Sequence, residues 1–116
     1  MDLPEEAGLL RIFVGEADRL GGRPLYEAIV LEARSRGLAG ATVLRGILGY
    51  GGSSRLHTTK VLRLSDDLPI VIEIVDREEN LAKLLPWLDE VVADGLVTLE
   101  RIRVKRYAAT SGKHRT

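Results

Sequence analysis

Two stretches of this chain share one build. GATVLRGI at 40–47 and GLVTLERI at 95–102 each follow a helical pattern and begin with a glycine. Each reads as a strand returning from a helix. Another strand stands ahead of each helix. Leu9–Val14 is a short apolar run broken by Arg11 and closed by Gly15, and Pro69–Val75 is the segment richest in β-branched residues. A chain that repeats strand–helix–strand twice in so short a length has few ways to close its sheet.

The helices carry their own signals. Pro24 opens the first, where a missing N–H costs nothing. Leu25, Ala28, Ile29 and Ala33 fall at helical spacing, and Gly37 stands where a left-handed terminal residue is expected. Asp76 is expected as the N-cap of the second helix, with Glu79 completing a capping box. Leu81, Leu84, Leu85, Leu88 and Val92 form its apolar stripe. Pro86 interrupts that stripe and predicts a kink or two shorter helices.

The connections follow. Glu16–Gly22 is polar and glycine-rich, the second strand is expected over Ala41–Leu48, and Leu62 and Leu64 suggest a further strand. Ser65–Pro69 is read as a turn or bulge, Asp94-Gly95 turns the chain, and Leu96–Val104 is the last strand. Residues 107–116 are small and polar, so a frayed tail is expected after an ordered core at about 9–106. At 116 residues the chain is read as one domain spanning 1–116.

The order is that of a split βαβ pair. The expected fold is therefore α+β: a ferredoxin-like βαββαβ unit with both helices on one face of an antiparallel sheet. The other face then has no cover within the chain. Yet both sides of the strands are substantially apolar. Ile70, Ile72 and Ile74 oppose Val71, Glu73 and Val75, while Leu96, Thr98, Ile102 and Val104 oppose Val97, Leu99, Arg101, Arg103 and Lys105. An uncovered apolar face marks an interface, and a homo-oligomer packed through it is expected.

Composition removes several classes of function. Lys+Arg and Asp+Glu both number 17, so the net charge is zero and nucleic acid is not an expected partner. Absence of cysteine rules out disulfides and thiolate chemistry. The acidic start MDLPEEAGLL lacks the basic region of a secretory signal, and no apolar run reaches membrane-spanning length. A cytoplasmic protein is the expectation.

The candidate site is LRGILGYGGSSR at 44–55. Gly46, Gly49, Gly51 and Gly52 allow positive φ and close backbone approach, and successive N–H groups there can cradle an anion. Arg45, Arg55 and Lys60 supply charge, His57 a further donor, and Tyr50 a flat face for a base. The spacing matches neither a P-loop nor a dinucleotide fingerprint. A plain polar hairpin loop therefore remains open beside the anion cradle. Arg101, Arg103 and Lys105 form a basic row, either solvated edge charge or a phosphate-facing row contributed near a subunit interface. Glu73 can pair with an arginine across the sheet. Glu16 fits a turn or a ribose hydroxyl, Asp66-Asp67 a turn, and Trp87 core or interface. Ser53 and Ser54 have no base beside them, and His57 and His114 lack companions for a metal site. No enzyme chemistry is expected.

Four motifs in order carry a family resemblance. Leu10-Arg11-Ile12-Phe13-Val14-Gly15-Glu16, Gly22-Arg23-Pro24-Leu25-Tyr26-Glu27, residues 40–51 and residues 67–76 together resemble the PII-like proteins of an uncharacterised conserved-domain family, over roughly 9–104. The resemblance implies a compact homotrimer with its sheets facing inward. It implies an adenine nucleotide in clefts between subunits, with no required cofactor. It also implies a loop after the second strand, here about 50–61, that changes shape and docks on a partner such as a membrane transporter. By position it carries the nucleotide role to Arg45, Gly46, Gly49, Gly51, Arg103 and Lys105, and the reading of the residues adds Tyr50 and Arg55 to the expected site. The chain departs from PII proteins at VVADGLV, 91–97, which has no basic residue to hold outer phosphates. AMP, ADP or a cyclic dinucleotide is accommodated more easily than ATP. The expected function is thus a non-enzymatic signalling protein, with a ligand-free interaction trimer as the alternative.

Overall fold

The structure, a computed structural model, describes residues 5–51, 57–58 and 67–109, with 57–58 described by backbone pairing. The strands are β1 (Glu6–Gly15), β2 (Arg19–Leu20), β3 (Arg23–Pro24), β4 (Gly40–Arg45), β5 (Leu48–Gly49), β6 (His57–Thr58), β7 (Pro69–Asp76) and β8 (Leu96–Arg103). Two helices interrupt them, α1 (Leu25–Ser35) after β3 and α2 (Glu78–Val91) after β7. The main sheet has the order β4-β7-β1-β8, and each of its pairs is antiparallel. This is the expected α+β ferredoxin-like arrangement.

The core lies between one sheet face and the two helices. Leu10, Ile12, Val14, Ile70, Ile72 and Ile74 point inward from the central strands. Ile29 and Ala33 of α1 and Leu81, Leu84 and Leu88 of α2 close over them. Trp87 packs against the rim of this cluster. Gly8 lets α2 approach β1 closely, because a Cβ there would stand 2.8 Å from Leu81 Cδ1. Both helices therefore share one face, as right-handed crossovers require.

Several local expectations are corrected. The polar connection after β1 contains a small ribbon, β2 pairing with β3 around Gly21 and Gly22 at φ 57° and 85°. Two successive positive φ values make the tight reversal that glycine pairs favour. Pro24 stands just before α1 and not in its first turn. At the other end Gly37 takes φ 74°, Leu38 N donates to Ala33 O at 3.1 Å and Gly37 N to Arg34 O at 3.0 Å. That is a Schellman closure, so the expected terminal glycine stands.

The second strand is shorter than Ala41–Leu48. β4 starts at Gly40 and leaves the ladder after Arg45, opposite Ile70. The next residue of β7 toward its start is Pro69, which has no N–H to offer. Gly46 N donates instead to Pro69 O at 2.7 Å, and Leu48–Gly49 pairs with His57–Thr58 as a separate ribbon. The suggested strand at Leu62 and Leu64 lies outside the described residues.

Asp76 is not the N-cap of α2; Arg77 holds that position without a side-chain cap. Asp76 ends β7, 1% exposed, and its carboxylate accepts from Arg77 N at 2.6 Å, Asn80 Nδ2 at 2.8 Å and Ala39 N at 2.7 Å. The capping box with Glu79 therefore does not form, since the helix begins one residue later than its spacing requires. Pro86 causes no break, and α2 runs unbroken through it. The proline faces solvent, and Arg36 Nη1 donates to the Lys83 carbonyl at 3.0 Å, one turn back. A carbonyl near the missing N–H thus gains an outside donor.

The chain after β8 is held at two points. Val104 N donates to Glu5 O at 2.6 Å, and the Tyr107 hydroxyl donates to Ala39 O at 3.2 Å. Residues 104–107 thus cross from the β8 edge toward the β4 edge.

Candidate functional site

Register brings four strand termini to one end of the sheet. Arg45 pairs with Ile70, Gly15 with Pro69, and Phe13 with Leu96. The ends of β1 and β4 therefore meet the starts of β7 and β8. A cavity of about 430 Å³ opens here. Gly46, Gly49, Tyr50 and Gly51 line it together with Asp18, Asp67, Asp94 and Gly95.

Close packing builds this end. A Cβ on Gly46 would stand 2.8 Å from Pro69 Cγ, and one on Gly95 would meet the Phe13 carbonyl oxygen at 2.4 Å. The described positive-φ glycines are Gly21, Gly22 and Gly37. Gly46 and Gly49 pack closely on Pro69 without positive φ, whereas a Cβ on Gly51 would meet nothing within 4 Å. The turn after β1 is held by its carboxylates: Asp18 Oδ2 accepts from Gly15 N at 2.9 Å and Asp67 Oδ1 from Ala17 N at 3.0 Å. Asp67, expected as a simple turn residue, thus clamps β1 to the start of β7.

The structure brings Gly46, Gly49, Tyr50 and Gly51 together, with the Tyr50 ring exposed. It does not add Arg45 to the cavity lining. Arg45 ion-pairs with Glu16. Arg103 and Lys105 lie at the opposite end of the sheet. Arg103 pairs with Glu6 in register and its guanidinium donates to Glu5 Oε1 at 2.8 Å. Arg101 reaches Glu78 at 3.3 Å, and Lys105 follows β8 exposed to solvent. Within one chain the basic row is therefore edge charge, far from the glycine segment. Gly52, Ser53, Ser54, Arg55, Lys60, Asp66 and His114 lie outside the described residues, as does most of the loop 50–61; His57 is described by its pairing with Gly49.

The cavity's described lining carries three carboxylates, Asp18, Asp67 and Asp94, and no cation. Such a wall suits hydroxyl and amino donors, and a phosphate here needs cations from elsewhere. Spacing did not point to these residues. Gly95 beside Asp94 was the available signal, because a glycine opening a strand often marks a close backbone approach. Among the described residues no group of three His, Cys, Asp or Glu is placed to hold a metal ion. No described helix is long and apolar enough to cross a membrane.

The other sheet face holds a second feature. Arg11 Nε donates to Glu73 Oε2 at 2.9 Å and its Nη1 to Glu100 Oε1 at 2.7 Å. Glu73 thus has the cross-strand arginine expected for it. The Glu73 hydrogen bond, with the nearby Glu100 charge, holds the Arg11 guanidinium above its ordinary range.

The family DUF190, described as "Uncharacterized ACR, COG1993", matches residues 7–104. A UPF0166 protein of Aquifex aeolicus (strain VF5) is 41% identical over 98 residues, covering 83% of this chain and 90% of that protein. A UPF0166 protein of Methanocaldococcus jannaschii is 39% identical over 95 residues, covering 81% and 87%. Among solved structures, the chain resembles CPII of Thiomonas intermedia K12, a nitrogen regulatory PII-like protein bound to ADP, AMP and bicarbonate, with TM-score 0.61, 22% identity and coverage of 87% and 90%. It also resembles a PII-like signaling protein of Thermus thermophilus, with TM-score 0.62, 19% identity and coverage of 85% and 89%. At these identities the structural likeness shows the fold.

Proposed function

The chain belongs to the DUF190 family, and from that premise we propose that it is a non-enzymatic, PII-like signalling protein. It binds an adenine nucleotide, AMP or ADP in preference to ATP, at clefts between the subunits of a homotrimer. It regulates a partner, such as a membrane transporter, through the loop 50–61. The observation that carries this reading is the cavity at the base of that loop, in a fold shared with a protein solved with ADP and AMP. Tyr50 supplies an exposed ring face, and Gly51, where a Cβ would meet nothing within 4 Å, leaves open backbone beside it.

The charge pattern supports a cleft completed by a neighbour. The described lining has carboxylates and no cation, whereas Arg103 and Lys105 stand at the far end of the same chain. In a closed ring one subunit's far end can meet the next subunit's cavity. Arg55 adds charge from the loop, and Arg45, at the end of β4, can do so on leaving Glu16. Asp94 at the turn before β8 opposes a third phosphate.

Calorimetric titration of the nucleotide-free protein with AMP, ADP, ATP and cyclic di-AMP tests this. Micromolar binding of AMP or ADP is expected, with no product formed and with Tyr50→Ala weakening it about tenfold, the order of an aromatic–base stack. Absence of heat from all four ligands, in protein shown to be empty, would reject the nucleotide reading.

A further inference from the structure

The sheet face turned away from the helices carries one polar row beside an apolar one. Thr42, Glu73, Arg11 and Thr98 are register partners across the four strands. Leu44, Val71, Phe13 and Leu96 make the row beside them, and Leu44 and Leu96 are about half exposed. Arg11 stands between Glu73 on the neighbouring central strand and Glu100 on the edge strand β8. The face thus holds one positive and two negative described charges, a surplus of one carboxylate.

A cation beside an anion on the two central strands makes this face its own electrostatic complement. In a closed ring of copies each chain can set Arg11 toward one neighbour's Glu73 and Glu73 toward the other neighbour's Arg11. Glu100 has no such match, because every copy of the chain brings the same surplus. Glu73 is the more enclosed acid, with 31% of its side chain accessible against 55% for Glu100. Burial of an acid is tolerated when its cation goes with it and opposed when it has none.

We propose that this triad sets the strength of self-association through the sheet face. Arg11 permits burial of the polar row, and Glu100 acts as a built-in brake on assembly. The occupant of the face is a second copy of the chain, so the inference rests on the homo-oligomer in the proposed function.

The test uses sedimentation velocity and subunit exchange between differently tagged copies of the full chain. Wild type is compared with Glu100→Gln, Arg11→Gln and the triple variant R11Q/E73Q/E100Q. Glu100→Gln removes a salt bridge yet is expected to tighten assembly, or slow exchange, about tenfold. Arg11→Gln leaves two carboxylates without their cation and is expected to loosen it about tenfold or more. The uncharged triple variant is expected to recover at least wild-type association, which separates the charge effect from loss of folding. Raising salt screens a surplus charge, so it should tighten wild type and leave Glu100→Gln little changed.

A Glu100→Gln protein that exchanges as fast as wild type or faster would overturn the inference while leaving the homo-oligomer intact. Wild type that sediments as a monomer at every concentration would overturn the homo-oligomer and the inference with it. In that case tight binding of a cationic protein to the face, lost in Glu100→Gln, would name the other occupant.

Discussion

At the scale of single residues, Asp76 is the side chain on which most local structure converges. It joins the end of β7, the start of α2 and the segment between α1 and β4 through three accepted hydrogen bonds, in a setting that is 1% exposed. Asp76→Ala would leave the N–H groups of Ala39 and Arg77 without that acceptor. A loss of about 3 kcal/mol is expected, read as a lower denaturation midpoint with the m-value unchanged. Asp76→Asn keeps one acceptor oxygen and should lose less. Gly95 is the comparable residue at the candidate site. Gly95→Ala forces its Cβ against the Phe13 carbonyl, so it should destabilise the chain and distort the cavity together, lowering nucleotide affinity and the melting temperature in parallel.

At the scale of elements, periodicity carried the strands and helices well, because each buries a single face. Ile70, Ile72 and Ile74 alternate inward as read, and Leu81, Leu84 and Leu88 form the buried stripe of α2. What periodicity did not carry was where elements stop. β4 ends at Arg45 because its partner strand presents Pro69, a fact of register that no residue of β4 reveals. The cap of α2 was misplaced by one residue because Asp76 is bound into the neighbouring segment through Ala39 as well as into the helix start. Pro86 misled for a related reason. An interior proline does cost an N–H, but Pro86 stands on the exposed side of α2, and the nearby Lys83 carbonyl accepts from Arg36. Pro86→Ala should therefore restore a helical bond without disturbing the core. The expected result is a stability gain of about 1 kcal/mol or more, seen as a raised thermal midpoint with native helix content unchanged.

At the scale of the molecule, the candidate site was legible in part. Gly46, Gly49, Tyr50 and Gly51 do gather at one cavity, because they are neighbours in sequence and follow one strand end. Asp18, Asp67 and Asp94 were not foreseen as its wall, because only the register of four strands brings them there. The basic row posed the reverse problem. Arg103 and Lys105 are expected either as edge charge or as a phosphate-facing row near a subunit interface, and within one chain they stand at the other end of the sheet from the glycine segment. Their proposed role therefore depends on a neighbouring copy, and that dependence can be tested directly. Tyr50→Ala and Arg103→Ala should each weaken nucleotide binding when assembled alone. If each cleft takes Tyr50 from one copy and Arg103 from the next, an equimolar mixture refolded together regains intact clefts, about a quarter of the total for random assembly of a closed ring. If both residues act within one chain, every chain in the mixture carries a defect and no high-affinity sites return. Calorimetric stoichiometry distinguishes the two, since it counts tight sites whatever their heat. Recovery near a quarter would place the site between subunits, and its absence alongside weakened single variants would confine the site to one chain.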